Sequence, residues 1–320
     1  MRACHHLIFR CFIMFPLIQG WLSGFEGGLF EEEDGEEKEE RCRAAVAFAA
    51  ERREKGWRLT HEELYDRAGR GRIETFAGAV HFERGQGQQG RAWDCSLVLA
   101  KYLEKHPEEV RARGVLELGC GVGLPGVAAA VLGAEEVTLT DMAEGLLAIE
   151  RTIELNPAVA GRLKGQVLQW GDEAAAEQLL ARSRRPVSVV LCSDLLYGDG
   201  PPPPPPPPAA GGTGEGVGAR QEGKEREEEE EEGEEGVVVS AAEALAITLA
   251  AVVRTSECTV LSCHERRWAG DKGAYFFETM ARRGFGVEAI DPGDIDERYR
   301  GDSGISFSRI RLRSPSQEGQ

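Results

Sequence analysis

Four short clusters in this chain carry groups suited to chemistry, and each follows a run of apolar residues. In Val115-Leu116-Glu117-Leu118-Gly119-Cys120-Gly121-Val122-Gly123-Leu124-Pro125-Gly126 a buried-strand pattern runs into a glycine turn and then into a helix start. Glycines at 119, 121 and 123 permit positive φ and a close backbone approach to a ligand, and Pro125 suits a first helical turn. Amides gathered at such a turn suit the polar part of a nucleotide-like ligand. Asp141 closes the stretch Glu136–Thr140, where a carboxylate can accept both hydroxyls of a ribose or else cap a helix that begins at Met142. Trp170, in Leu168-Gln169-Trp170-Gly171-Asp172, can lie against a flat base or pack in the core. Asp194 stands three residues before Tyr197 in Leu191-Cys192-Ser193-Asp194-Leu195-Leu196-Tyr197. A carboxylate and a phenol on one turn can hold an acceptor group, unless Tyr197 is only a packed aromatic.

The surrounding pattern predicts the elements that position these clusters. Helical stretches at Asp94–His106, Leu124–Leu132, Ala143–Leu155, Glu173–Ala181 and Ser240–Arg254 alternate with strand-length runs at Val115–Leu118, Glu136–Thr140, Gly165–Leu168, Val187–Cys192 and Cys258–Cys263. Alternation of this kind means a doubly wound, mostly parallel sheet of the α/β class. Ligands of such sheets bind beyond the carboxyl ends of the strands, and all four clusters fall at such an end. A helix at Tyr275–Arg283 is followed by strands at Gly286–Ile290 and Gly304–Arg311, whose short connection predicts a C-terminal antiparallel hairpin. The sheet is then seven-stranded. Upstream, a helix is expected over Arg41–Lys55 and a hairpin within Ile73–Phe82.

Of the 320 residues, 41% are hydrophobic, enough for a sizeable core in one or two domains. The net charge of −17 is not spread over a face: residues 31–40 hold eight acids against one lysine, and residues 199–236 hold twelve acids against three bases. The rest of the chain is almost neutral and carries no basic stripe interleaved with aromatics, which argues against direct binding of nucleic acid. Both acidic runs lack the apolar residues that would offset ordering entropy. Residues 1–40 are therefore expected to be poorly ordered, and 199–236, which includes Pro201 to Pro208, to be a disordered insertion in a surface loop. Loop closure costs only about 0.6 kcal/mol more per doubling of length, so residues 41–198 and 237–313 can form a single domain, followed by a tail at 314–320. The eight cysteines, at 4, 11, 42, 95, 120, 192, 258 and 263, form no C-x-x-C pair and no ligand spacing with the six histidines. That usage fits a reduced, cytoplasmic protein without structural zinc. In residues 1–30 an apolar stretch from Leu7 to Ile18 is broken by Arg10 and Pro16. It is too short to span a bilayer, and leaves a transit peptide, a secretory signal and a gene-model artefact open.

Which nucleotide the glycine turn suits is a separate question. Gly121, Gly123 and Gly126 satisfy the dinucleotide fingerprint G-x-G-x-x-G, so an NAD(P)-dependent oxidoreductase with Asp141 on the ribose is one reading. The register Glu117-x-Gly119-x-Gly121-x-Gly123 is the one seen in enzymes that use S-adenosyl-L-methionine. A seven-stranded sheet ending in an antiparallel pair follows the methyltransferase plan, whereas the dinucleotide-binding fold ends in a parallel strand.

Glu117 to Gly126, Asp141, Trp170 and above all the tetrad Asp194-Leu195-Leu196-Tyr197 together resemble the methyltransferase-16 family of protein-lysine methyltransferases. Gly90-Arg91-Ala92-Trp93-Asp94-Cys95-Ser96, leading into a helix, is similar to that family's Trp-Asp signature. The ending, from Cys263-His264-Glu265-Arg266-Arg267 through Tyr275-Phe276 to Glu297-Arg298-Tyr299, is most similar to the branch that methylates valosin-containing protein, an AAA chaperone ATPase. The resemblance covers about residues 60–198 and 237–313. It implies S-adenosyl-L-methionine as cofactor, held by Trp93, Glu117, Gly119, Cys120, Gly121, Asp141, Trp170 and Ser193. Asp194 and Tyr197 would be the catalytic pair beside an acceptor lysine in a protein substrate, such as an AAA chaperone, with no metal, no nucleic-acid partner and no stable membrane insertion. This chain departs from the pattern at Ala92, where a β-branched residue is usual, at His264, where the branch has an aromatic, and in the insertion that follows the tetrad. A non-catalytic binding protein that keeps the fold is a further alternative, against which intact Asp194 and Tyr197 speak. His264 and Glu265 are expected to lie beyond their strand and to cap or orient a loop.

Overall fold

The computed structural model describes residues 64–85, 87, 90–196, 240–265, 272–301 and 304–313. The expected helix over Arg41–Lys55, the segment 1–40, the insertion 199–236, the tail 314–320 and Tyr197 lie outside the described residues. The apolar runs become strands β1 (Arg70–Thr75), β2 (Gly78–Glu83), β3 (Gly114–Leu118), β4 (Glu136–Asp141), β5 (Leu163–Val167), β6 (Val187–Ser193), β7 (Thr259–Glu265), β8 (Phe285–Ala289) and β9 (Ile305–Leu312). Between them run helices α1 (Asp94–Lys105), α2 (Leu124–Val131), α3 (Leu146–Leu155), α4 (Glu173–Ala181), α5 (Ala241–Val252) and α6 (Lys272–Arg282).

Seven strands form one sheet in the order β5-β4-β3-β6-β7-β9-β8. The first five in space are parallel, and β9 is antiparallel to both β7 and β8. Every residue of β3 and β4 is buried, as a strand covered on both faces requires. One core lies on the face covered by α1, α2 and α3, and holds Leu99, Val127 and Ile149. The other lies under α4, α5 and α6, and holds Leu179, Leu249 and Phe276. The chain leaves β3 outward through β4 to β5 and then returns to β6 on the other side, so the strand order reverses at β3. A crevice beyond the carboxyl ends of β3 and β6 follows from that reversal, and it is where the sequence clusters converge.

Three expectations are corrected. The helix read as Ala143–Leu155 begins instead as a 3-10 turn at Ala143–Gly145, with α3 starting at Leu146. A Cβ on Gly145 would stand 2.8 Å from Asp141 Cγ, so the chain is too tightly drawn against the end of β4 to open the helix there. The C-terminal antiparallel hairpin forms as β8 and β9, but its connection is not short: residues 291–301 run along α1, and β9 lies between β7 and β8. Lys105 Nζ donates to the carbonyls of Gly293 and Asp294 at 3.0 and 3.1 Å, and Tyr299 Oη donates to Asp94 Oδ1 at 3.3 Å. Pairing with β9, His264 to Ser306 and Glu265 to Ile305, extends β7 two residues past Cys263. His264 and Glu265 are thus the end of the strand, not a loop after it.

The expected N-terminal hairpin forms as β1 and β2, with Ile73 opposite Val80. It stands outside the sheet, and β2 buries Val80 and Phe82 in the α2–α3 core. Asn156, which follows α3, both donates to the carbonyl of His81 at 2.7 Å and accepts from its amide at 2.9 Å. Phe82 is fully buried, and its ring fills the space where Gly71 lacks a side chain. We therefore expect Phe82→Ala to cost about 3–5 kcal/mol, the range for removing a buried aromatic, read as a lower urea midpoint. An unchanged midpoint would mean that the hairpin is not part of the cooperative unit.

Candidate active site

The glycine turn is shaped from below by two carboxyl groups. Glu117, fully buried at the end of β3, accepts a hydrogen bond at Oε2 from the amide of Gly126 at 2.7 Å. A Cβ on Gly126 would stand 2.5 Å from that oxygen and 2.3 Å from Leu139 Cδ2, so only glycine lets α2 sit this close to β3 and β4. Asp141 braces the turn from the neighbouring strand, its Oδ2 accepting from the amide of Gly121 and its Oδ1 from that of Met142, both at 2.8 Å. Of the two sequence readings of Asp141, helix cap is not what forms: the carboxylate spans β4 and the turn. The amide of Cys120 donates to the carbonyl of Thr140 at 2.9 Å, which completes the tie. Gly119, Gly121 and Gly123 all adopt positive φ.

Burial is the largest influence on the acidity of these groups. Desolvation pushes the Glu117 carboxyl well above the usual carboxylate range, against the lowering effect of the Gly126 amide, and the charge of Asp141 adds to the rise. Its Oε1 is buried with no hydrogen-bond partner. Asp141 is also raised, first by burial, with the amides of Gly121 and Met142 opposing. The Cys120 thiol is driven up by burial and then by Glu117 and Asp141, so it is no nucleophile. Glu117 is sealed beneath the turn and Asp141 is buried beside it, whereas Gly119 and Gly121 are half-buried.

Trp170 reaches the same place from β5. A Cβ on Gly119 would meet Trp170 Cζ2 at 2.9 Å and Leu195 Cδ2 at 2.7 Å, so the bare backbone of the turn, the half-buried indole and the chain after β6 are packed together. Gly171, at positive φ, donates its amide to Thr248 Oγ1 on α5 at 2.8 Å, which fixes the turn that carries the indole. Trp93 is half-buried at the N-cap of α1, its carbonyl accepting from the Ser96 amide at 2.9 Å and hydroxyl at 2.6 Å.

Asp194 follows β6 in a left-handed conformation with φ of 58°. For a residue with a Cβ this costs about 1–2 kcal/mol, which Asp bears better than most. The strain is held by the next strand: Asp194 donates its amide to the carbonyl of Cys263 at 2.7 Å, and its Oδ1 accepts from the amide of Glu265 at 3.3 Å. Backbone strain of this kind gathers at functional sites. Thr248 and Glu265 were not foreseen as contributors. For Glu265 the available signal was the alternation Leu261, Cys263, Glu265, which carries the inward face of the strand to its end. Met142 was also missed; its apolar side chain is 54% exposed directly beside Asp141.

The cleft of about 350 Å³ lined by Glu135, Glu136, Gly161, Arg184 and Arg185 lies at the opposite, amino end of β4 and β6. Its charges are already matched: Glu136 pairs with Lys164 Nζ at 2.5 Å and accepts from the Arg185 amide at 2.7 Å, and Arg185 pairs with Glu135. It is a surface ion-pair network away from the glycine turn.

The raised carboxyl of Glu117 has a measurable consequence. In the unfolded chain it ionises near the usual value of about 4.3. Folding holds the proton, so stability falls as pH rises from that value toward the folded one. Glu117→Gln keeps the acceptor for Gly126 and removes this loss. Urea unfolding should give similar stabilities for the two proteins near pH 4, with a margin in favour of the variant that grows as pH rises above that; a margin that shrinks with pH would contradict the assignment.

Residues 79–200 match the model of a family described as lysine methyltransferase. The chain is 35% identical over 107 residues to protein N-lysine methyltransferase METTL21A of Mus musculus, covering 33% of this chain and 46% of that protein. Against protein N-terminal and lysine N-methyltransferase efm7 of Schizosaccharomyces pombe it is 31% identical over 109 residues, covering 33% and 43%. Against histone-arginine methyltransferase METTL23 of Xenopus laevis it is 38% identical over 108 residues, again covering 33% and 43%. In each case the match spans less than half of the relative's length. Residues 79–200 are thus similar to lysine methyltransferases, over less than half of this chain.

Proposed function

We propose that this chain transfers methyl groups from S-adenosyl-L-methionine to the side-chain amine of lysine in a protein. The observation that carries the reading is the packing of Leu195 against Gly119. The residue after Asp194 touches the glycine turn, so a ligand on the turn and an acceptor beside Asp194 would be neighbours. The cradle suits such a cofactor: bare glycine backbone flanked by an indole, with a carboxylate at the end of the adjacent strand. Trp93, Gly119, Cys120, Gly121, Asp141, Trp170 and Ser193 would hold it, with Glu117 fixing the turn from beneath. When bound, the cofactor supplies a methyl group already activated on a sulfonium sulfur.

The protein then has to align an uncharged amine with that methyl. A lysine with a reference pKa of about 10.4 arrives protonated, and must release its proton to solvent before it can attack. Desolvation favours that release, whereas a nearby carboxylate opposes it. Asp194 is therefore assigned to orienting the amine and stabilising the cationic product, not to strong general base catalysis. Tyr197 joins it as a wall or hydrogen-bond partner of the amine, on the strength of its place in the tetrad.

An AAA chaperone as substrate is supported by the likeness of the ending around Cys263–Glu265 and Glu297–Tyr299 to one branch. A cytoplasmic location is supported by the buried free thiols of Cys95, Cys120, Cys192, Cys258 and Cys263. The relative named for histone arginine supports a second reading, arginine as acceptor, which shares the site and differs in the nitrogen.

Asp194→Ala should lower methyl transfer by about a hundredfold or more, the scale of losing one transition-state contact. Affinity for S-adenosylhomocysteine by titration calorimetry should stay nearly unchanged; loss of both together would overturn the division of roles. In a melting experiment, S-adenosylhomocysteine and not NAD should raise the transition temperature, since only a ligand of the folded state does so. Stabilisation by NAD alone would favour the oxidoreductase.

A further inference from the structure

Glu265 ends β7 directly beside Asp194, and has no part in the methyl-donor cradle. The β6–β7 register pairs Ser193 with Cys263, so the next residues on the two strands emerge together at the carboxyl rim. There the Glu265 amide reaches Asp194 Oδ1 at 3.3 Å. Along β7, side chains alternate between faces. Leu261 and Cys263 belong to the core under α1, and Glu265 continues their face. His264 points the other way, with its ring 5.6 Å from that of Phe277 on α6. The Glu265 side chain is thus directed toward the amino end of α1, where Trp93, Asp94 and Cys95 lie. The Cys95 thiol shows the same arrangement: burial pushes it up first, then the neighbouring Cys263 thiol, then the charges of Asp194 and Glu265. Both carboxylates are near enough to act on the first turn of α1, and each residue is 8% exposed.

We propose that Glu265 is a second acceptor-binding carboxylate that, with Asp194, selects a cationic acceptor group over a neutral one of the same shape. The proposal rests on the methyltransferase reading of this rim and deepens it. One carboxylate can orient an amine, whereas two on adjacent strand ends draw in the protonated form and hold the methylated ammonium product, which stays charged. Hydroxyl and amide acceptors gain nothing from the second charge.

The test uses the full chain saturated with S-adenosylhomocysteine, titrated with n-butylammonium as a lysine side-chain probe and with n-butanol as its neutral counterpart. The wild-type complex should prefer n-butylammonium, and Glu265→Gln should reduce that preference about tenfold, the scale of one hydrogen bond to a charged group. Glu265→Asp should restore part of it, and neither variant should alter S-adenosylhomocysteine affinity more than about twofold. Equal binding of the two probes by wild type, or an unchanged preference in Glu265→Gln, overturns the proposal. So does a variant that loses S-adenosylhomocysteine, because Glu265 would then be structural. Failure of the wild type itself to bind S-adenosylhomocysteine is a different result, and removes the methyltransferase reading instead.

Discussion

Two carboxyl groups tied to backbone amides hold the crevice in shape. Glu117 accepts from Gly126 and so draws α2 down onto the sheet, while Asp141 accepts from Gly121 and so fixes the turn against β4. A Cβ on Gly126 would collide with Glu117 and Leu139, and Gly121 supplies a positive φ, which is why glycines recur here. Once the turn is set, its bare surface at Gly119 receives Trp170 from one side and Leu195 from the other. The chemistry proposed for the rim follows from that three-way contact, since it brings the ends of β3, β5 and β6 to one place.

The second constraint is the seam between β6 and β7. Asp194 is held in a conformation that most residues avoid, and the bond from its amide to Cys263 O stabilises it there. Because β9 pairs antiparallel with β7 through Glu265, the strand keeps its geometry to the rim and can act as a template for the loop after β6. The antiparallel ending of the sheet thus contributes to the site as well as to the fold.

Much of this was legible in the sequence because the signals were local. Strand-length apolar runs and their alternation with helices gave the sheet, and residue types at strand ends gave Asp141, Trp170 and Asp194. Elements that depend on distant partners were harder. The late start of α3 depends on the contact of Gly145 with Asp141, the reach of β7 depends on β9, and the run of residues 291–301 along α1 depends on Lys105 and Asp94. The register of Glu117 in the motif is visible in the sequence, whereas its complete burial is a property of packing by α2. Likewise the place of Glu265 at the end of β7 is set by its pairing with Ile305.

The central claim is that the nitrogen placed beside Asp194 belongs to a lysine side chain in a protein. Incubation of the full chain with isotopically labelled S-adenosyl-L-methionine and a cell lysate, followed by mass spectrometry of labelled peptides, tests it most directly. The account predicts label on a lysine ε-nitrogen. Label confined to arginine, to another nucleophile or to no protein at all would contradict it.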